Sequence, residues 1–349
     1  MQSWRIWISL ASILLGAACS DGSSEESTSA KTDELGIFGP RQCEPNRGLF
    51  RQERYEFPVT LSNGTRAKIV GYLYYQSYYR GKTLLIGVHG ATYNHKYWAA
   101  PSINDHVYSF ACYMARQNYS ILAIDMLGSG ESSGEGQIDG DAISFDDSKA
   151  GITQVVNQLR NRRNPIGNAF NKIVLVGHSM GSEAVIGVQA ASHPADALVV
   201  TGWSHIPPPG GLNLDLSPFL GSPYVTFPPA VRNVLMYGPS ADPDMVSYDN
   251  ANLADKLPRS ELLTSFALIF QAALTGANAV TGKVLVQLGE NDLVYPSVNA
   301  GAEAASYPHA QVTVQSLSTT GHCFNLHPEN RTSWDQMDSW LHRSHLDCE

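Results

Sequence analysis

The 349-residue chain has few basic residues and only five cysteines. The shortage of positive charge limits the classes of partner that it can bind. It carries 32 acidic residues against 23 basic ones, for a formal net charge of −9. Its densest basic stretch, residues 160–163, lies at the end of a helix-like segment. An anionic polymer requires a broad cationic surface, so a nucleic acid is not the expected partner. The sequence also has no cluster with metal-ligand spacing, and neither a metal nor another cofactor is predicted.

The only apolar run near the N-terminus, residues 6–15, is too short to span a membrane as a permanent anchor. Residues 1–18 contain one basic residue, Arg5, followed by the apolar stretch 6–15 and then small residues before Cys19. This order is typical of a signal peptide. The small residues before Cys19 resemble a bacterial lipobox, in which the cysteine is lipidated. We therefore expect an exported protein, either a cell-envelope lipoprotein or a secreted one, with a membrane as partner only through that lipid.

The segment that follows is predicted to be a tether. Residues 20–29 are polar and acidic and contain no aromatic side chain. Such a stretch cannot bury enough apolar surface to fold, so we assign residues 19–45 to a disordered tether.

The four remaining cysteines are Cys43, Cys112, Cys323 and Cys348. In an oxidising compartment an even number permits two disulfides, in three alternative pairings. Cys43 and Cys348 lie near the two chain ends, and we consider them one candidate pair. Cys323 either forms a bridge or is buried and reduced.

The most informative motif is the G-x-S-x-G sequence at residues 177–181, which lies between an apolar strand-like run and a helix-like stretch. A sharp turn from strand to helix strains the serine backbone and exposes its Oγ. It also directs the first N–H groups of the helix at a reacting carbonyl oxygen. Gly177 and Gly181 leave room for the strand and helix to cross closely. The motif predicts Ser179 as a nucleophile.

A serine in such a turn needs an acid and then a histidine later in the chain. Two further strand-like runs, residues 283–288 and 312–317, end just before Asp292 and His322. Because the carboxyl ends of parallel strands meet at one edge of a sheet, both side chains are expected near Ser179. We predict His322 as the general base and Asp292 as the carboxylate that orients its ring.

Each of these predictions has a rival nearby in the chain. Glu290 competes with Asp292 as the acid, and His327 competes with His322 as the base. Three other residues near the motifs are expected to be structural: His89, His178 and Asp125. Three aromatic residues either line an acyl pocket or pack inside a loop: Tyr93, Tyr97 and Trp98.

Two upstream segments complete a resemblance to the α/β-hydrolase superfamily. Residues 84–91 look like that family's third strand and its His-Gly oxyanion loop, and residues 121–132 resemble its fourth strand with a D-x-x-G-x-G-x-S turn. The resemblance spans roughly residues 55–345. It implies that the N–H groups of Ala91 and Met180 form the oxyanion hole.

Strand-like and helix-like segments alternate along the chain, which favours an α/β fold with a mostly parallel central sheet flanked by helices. An antiparallel hairpin turning at Asn63-Gly64 is expected to begin the sheet. The alternation stops after the sixth strand, because seven prolines within residues 206–230 exclude a long helix or a central strand. We interpret residues 206–275 as a cap inserted there, on a core made of residues 46–205 and 276–349. Its many leucines and phenylalanines predict an apolar pocket.

These features together predict a secreted or lipid-anchored serine hydrolase. The expected reaction is cleavage of a small apolar ester through an acyl-enzyme, as in a carboxylesterase, without a cofactor. An amidase or peptidase using the same residues is the enzymatic alternative. A binding protein that kept the fold and lost catalysis is the alternative outside enzymes. An epoxide hydrolase or dehalogenase is disfavoured because Ser179 stands where those relatives carry aspartate.

Overall fold

A computed structural model of the chain describes residues 43–44, 48–212 and 215–347. The predicted signal peptide, the lipidation residue Cys19 and nearly all of the tether lie outside these residues, as does Cys348.

The core is an eight-stranded sheet in the order β1-β2-β4-β3-β5-β6-β9-β10, and a two-stranded sheet pairs β7 with β8. The strands are β1 (Phe50–Thr60), β2 (Arg66–Gln76), β3 (Leu84–Val88), β4 (Ser120–Ile124), β5 (Ile173–His178), β6 (Ala197–Thr201), β7 (Tyr224–Val225), β8 (Leu257–Pro258), β9 (Gly282–Gly289) and β10 (Ala310–Leu317). β2 runs antiparallel to β1 and β4, and the other pairs of the large sheet are parallel. The predicted mostly parallel sheet that begins with a hairpin is therefore confirmed.

Strands β3, β4, β5 and β6 are buried at every position, because helices cover both faces of a parallel sheet. The helices are α1 (Phe110–Arg116), α2 (Phe145–Leu159), α3 (Met180–Ser192), α4 (Pro229–Met236), α5 (Pro243–Asn252), α6 (Arg259–Phe266), α7 (Ala272–Thr275), α8 (Ala300–Glu303) and α9 (Asn330–Arg343). α2 begins with a capping box formed by Ser144 and Asp147. None of the helices in the described part of the chain has the length and hydropathy of a transmembrane span.

Strand register brings the loops that carry the candidate site residues to one edge of the sheet. Val88 at the end of β3 pairs with Gly177 at the end of β5. His178 pairs in turn with Thr201 on β6, and Leu317 pairs with Gly289 at the shared end of β9 and β10. The segments that follow these strands therefore meet above the centre of the sheet.

The segment between β6 and β9 holds α4 to α7 together with the β7–β8 pair, and within its described residues it adds no strand to the large sheet. Proline supports the starts of its helices, since Pro229 and Pro243 occupy the first turns of α4 and α5. We keep the name cap for residues 206–275, whose boundaries remain a prediction.

One disulfide joins Cys43 to Cys112 on α1, with Cα atoms 5.4 Å apart. The predicted pair of Cys43 with Cys348 is therefore wrong. Position near a chain end does not determine spatial proximity, and α1 packs on β2, the hairpin partner of β1. Cys323 is free and buried, which was one of its two predicted states.

Candidate active site

Ser179 lies at the turn between β5 and α3 with a backbone conformation of φ 53° and ψ −124°. This positive φ is costly for a residue with a side chain, and the surrounding packing has to maintain it. The two glycines of the motif make the turn sterically feasible. A Cβ atom on Gly177 would overlap the backbone of Ser182, and one on Gly181 would overlap the carbonyl oxygen of Val88.

His322 and Asp292 form a buried pair. The Nδ1 atom of His322 lies 2.7 Å from Oδ2 of Asp292, and the other carboxylate oxygen accepts the N–H groups of Val294 (2.8 Å) and Tyr295 (3.0 Å). An ionised carboxylate accepts only, so Nδ1 carries the proton and Nε2 is left as a base. His322 lines the same pocket as Ser179.

Neither rival residue takes part in this pair. Glu290 is exposed and accepts the N–H of Thr319 at 2.8 Å. His327 is buried, and its Nε2 accepts the N–H of Gly321 at 3.3 Å. Burial lowers the pKa of His327 to about 4, so this ring is neutral near pH 7.

The two residues predicted to supply the oxyanion donors line the same pocket as Ser179. Met180 is the first residue of α3, and the N–H groups of a first helical turn have no acceptor within the helix. Ala91 follows Gly90, where an added Cβ would lie 3.0 Å from Cβ of Ser179. Ala91, Ser179, Met180 and His322 line one pocket.

His89 supports the loop that follows β3. Its Nε2 accepts the N–H of Met126 at 3.0 Å, so Nδ1 donates to the Gly90 carbonyl at 2.9 Å. Burial lowers the pKa of His89, which keeps the ring neutral in this bridging role. The geometry agrees with the structural role predicted for this histidine.

Asp125 fixes the turn after β4. Its carboxylate accepts the N–H groups of His95 (2.7 Å) and Glu131 (2.9 Å), and its Oδ1 also contacts Nδ1 of His95 at 2.8 Å. A Cβ on Gly130 would overlap the same carboxylate, which explains the glycine in the D-x-x-G-x-G-x-S turn. The motif indicated Asp125 but gave no sign of His95.

The aromatic residues of the loop after β3, residues 89–98, which we call the oxyanion loop after its predicted role, pack inward. Tyr93, Tyr97 and Trp98 are each about 1% exposed, and Tyr97 stacks on His178 with ring centroids 4.6 Å apart. None of the three lines the pocket, so the packed-loop alternative describes them.

The pocket beside Ser179 is open to solvent, and its lining is predominantly apolar. Its lining comprises Ala91, Ser179, Met180, Trp203, Leu212, Phe227, Leu235, Met236, Ser265, Phe266, Ile269, Val294, Tyr295 and His322. Six of its apolar residues belong to the cap: Leu212, Phe227, Leu235, Met236, Phe266 and Ile269. Hydrophobicity alone could not separate such residues from the cap's own core, and it did not identify Trp203 or Tyr295.

A buried ion pair joins the cap to the oxyanion loop. Arg232 on α4 donates through Nη2 to both carboxylate oxygens of Asp249 on α5, at 2.8 and 2.7 Å. Its Nη1 donates to the carbonyl (3.2 Å) and the hydroxyl (2.9 Å) of Thr92, the residue after Ala91. Thr92 has a positive φ of 59°, a strained conformation that these bonds stabilise. Sequence reasoning missed this network because its members are far apart in the chain.

Within the described residues, no group of three or more His, Cys, Asp or Glu side chains is arranged to hold a metal ion. The chemistry that the site can perform with its own side chains is nucleophilic. It combines a serine on a strained turn with a histidine oriented by a carboxylate, in a pocket that Ala91 and Met180 also line.

A family model described as serine aminopeptidase, S33, matches residues 104–329, which is more than half of the chain. An esterase from Thermogutta terrifontis is 16% identical, with a TM-score of 0.57 over 84% of this chain and 99% of its own. A monoacylglycerol lipase from Paleococcus ferrophilus is also 16% identical, with a TM-score of 0.58 over the same two shares. A soluble variant of monoglyceride lipase from Saccharomyces cerevisiae is 13% identical, with a TM-score of 0.61 over 82% and 96%. A search of functionally curated proteins gave no significant match. At these identities the structural likeness shows the fold alone.

Proposed function

Because the chain belongs to the serine aminopeptidase S33 family and has the α/β-hydrolase fold, we propose that it is a serine carboxylesterase acting on small apolar esters. The observation that carries the proposal is the pocket. It places Ser179 and His322 against an apolar wall, and Asp292 holds His322 from behind. An ester with a short hydrophobic acyl or alkyl chain matches this lining.

In the proposed mechanism, Ser179 Oγ attacks the ester carbonyl while Nε2 of His322 takes its proton. The N–H groups of Ala91 and Met180 hold the oxyanion of the tetrahedral intermediate. His322 then delivers the proton to the departing alcohol, leaving an acyl-enzyme. Water, deprotonated by the same nitrogen, releases the acid and restores Ser179. Asp292 stabilises the imidazolium at each step.

An aminopeptidase activity is the second candidate, because the matching family model carries that description. Such an enzyme would have to bind the ammonium group of a peptide, and no carboxylate is among the residues that line the described pocket. It would also have to protonate a poorer leaving group than an alcohol. Both arguments favour the ester.

The experiment that tests the proposal compares p-nitrophenyl esters from acetate to palmitate with aminoacyl p-nitroanilides. We expect ester hydrolysis that Ser179→Ala lowers by about 10³-fold or more, because the serine acts only through its nucleophilic oxygen. A fluorophosphonate probe should label the wild type and leave the variant unlabelled. Turnover of the anilides alone would favour the peptidase. Absence of both turnover and labelling would indicate a binding protein.

We further propose that the enzyme is exported and lipidated at Cys19. The support is the N-terminal sequence, in which an apolar run and small residues precede that cysteine. Labelling of bacterial cells with a radioactive fatty acid should mark the wild type and not a Cys19→Ser variant. Release of unlabelled wild-type protein into the medium would favour simple secretion instead.

A further inference from the structure

One polar side chain of the pocket is contributed by the cap and backed by a buried carboxyl group. Ser265 on α6 lines the pocket with Ser179 and His322 and is 3% exposed. Its hydroxyl is hydrogen-bonded to Oε2 of Glu183 in the first turn of α3. Glu183 is 1% exposed, and among the described residues no side chain or backbone group is hydrogen-bonded to its Oε1.

The surroundings of Glu183 do not stabilise a negative charge. Lys149 on α2 attracts it electrostatically, but that ammonium pairs with Asp146 at 2.6 Å. Glu261, one turn before Ser265 on α6, is another buried carboxyl, and its negative charge would repel a charge on Glu183 if both lost their protons. The phenol of Tyr295 also lies within electrostatic range. Burial raises the pKa of Glu183 and of Glu261 to about 8 each, so both are protonated at neutral pH.

We propose that Ser265, held by Glu183, is a specificity-determining residue that donates a hydrogen bond to an oxygen atom of the substrate away from the scissile ester. This inference rests on the proposed esterase function and narrows its substrate class. The preferred substrates carry a second oxygen, such as a hydroxyl or an ether, on an otherwise apolar chain. Esters of plain alkyl chains lack an acceptor for this hydroxyl.

The protonation state of Glu183 determines what Ser265 can offer. A protonated carboxyl can donate to Ser265 Oγ, which leaves the serine proton free to point into the pocket. An ionised carboxylate accepts only, so it takes the serine proton and leaves Oγ as an acceptor. The hydroxyl therefore changes from a donor to an acceptor as Glu183 loses its proton.

The test uses two pairs of esters that differ by oxygen content alone. One pair, 1-monooctanoylglycerol and propyl octanoate, probes the alcohol side. The other, p-nitrophenyl hexanoate and its analogue with an ether oxygen in the chain, probes the acyl side. For each pair we measure the ratio of kcat/KM for the oxygenated ester to kcat/KM for the alkyl ester. In the pair whose extra oxygen reaches Ser265, we expect this ratio to fall about tenfold in Ser265→Ala, which corresponds to the loss of one hydrogen bond.

Ser260→Ala is the matched control, because it makes the same change on the same helix at a residue outside the pocket lining. Its ratio should equal that of the wild type. The pH dependence supplies a second readout. The wild-type ratio should decline as the pH rises through about 8, and Glu183→Gln should abolish that decline because a carboxamide does not titrate. A pH effect on the chemical step itself acts on both members of a pair and cancels in the ratio.

Unchanged ratios in Ser265→Ala for both pairs would overturn the inference while leaving the esterase proposal intact. If neither pair is hydrolysed at all, the esterase proposal fails separately. In that case the labelling rates of Ser179 by an alkyl fluorophosphonate and its ether analogue provide the same ratio, with the same expected loss in Ser265→Ala. Equal labelling ratios in the wild type and Ser265→Ala would then overturn the inference.

Discussion

Two acidic side chains, Glu290 and Asp292, follow β9, and their hydrogen bonds differ. Asp292 is buried against Nδ1 of His322, whereas Glu290 is exposed and bound to a backbone N–H. Asp292→Asn should lower kcat by about 10⁴-fold, because an amide at this position favours the wrong tautomer of the ring. Steady-state kinetics on the best p-nitrophenyl ester would measure the loss.

Glu290→Gln is the matched control, since it makes the same chemical change two residues away. We expect its kcat to remain within about twofold of the wild type, because an exposed carboxylate contributes little. Nearly full activity in Asp292→Asn with a large loss in Glu290→Gln would reverse the assignment.

For single residues, the sequence was sufficient to identify those that belong to an ordered motif. Ser179, Asp292 and His322 follow the chain order that the fold requires, and the structure brings Ser179 and His322 to one pocket with Asp292 behind. Their catalytic roles remain predictions. Ser265 and Glu183 could not have been selected, because a serine and a glutamate with no pattern between them meet only once the cap has folded.

Among the secondary-structure elements, the close approach of α3 to β3 requires a glycine at position 181. A Cβ on Gly181 would overlap the carbonyl oxygens of Val88 and His89, which cannot move without disturbing β3 and the oxyanion loop. Gly181→Ala should therefore destabilise the protein and lower its activity strongly, as misfit backbone substitutions do. Urea denaturation and ester hydrolysis would measure the two effects.

Gly187→Ala is the control on the same helix. A Cβ at Gly187 would meet only Lys149, near the middle of a flexible side chain that can move aside. Since alanine favours a helix by about 0.5–1 kcal/mol over glycine, this variant should be as stable as the wild type or slightly more so. Equal losses in both variants would show that tight packing at the elbow is not the cause.

A second contact between elements links α4 and α5 of the cap to the oxyanion loop through Arg232. Arg232→Ala leaves Asp249 as an unpaired buried charge, which costs about 3–5 kcal/mol of unfolding free energy when one partner of such a pair is removed. It also removes two hydrogen bonds from Thr92. We expect lower stability in urea, and a kcat that falls more than KM rises because the oxyanion loop loses its support.

Lys68→Ala provides the comparison, because it removes an exposed ion pair with Glu56 on the β1–β2 hairpin. Its cost should be at most about 1 kcal/mol, since water solvates both partners well. A similar cost in the two variants would mean that the Arg232 network does not stabilise the fold.

For the whole molecule, the sequence could predict the core because local patterns and global topology agree there. The buried runs of β3 to β6 are continuous apolar stretches, and the hairpin turn at Asn63-Gly64 separates two long strands. The cap was predicted only from the loss of strand–helix alternation after the sixth strand, because its helices are short and irregular. The disulfide pairing was beyond the sequence, since it depends on which surfaces approach each other after folding.

The Cys43–Cys112 bridge is therefore the feature through which the whole fold can be tested. It closes a loop with a sequence separation of 69 and fixes the start of the described chain to α1. Removing such a native disulfide costs about 2–5 kcal/mol of unfolding free energy. We expect a reductant to lower the Tm of the wild type and to leave the Tm of the double variant Cys43→Ser, Cys112→Ser unchanged. A Tm that does not respond to the reductant would contradict the bridge.

The remaining described cysteine, Cys323, is tested by its reactivity. Burial raises the pKa of its thiol, so this cysteine should resist a thiol reagent until the protein unfolds. Fast labelling of Cys323 in the folded protein would contradict the packing around His322.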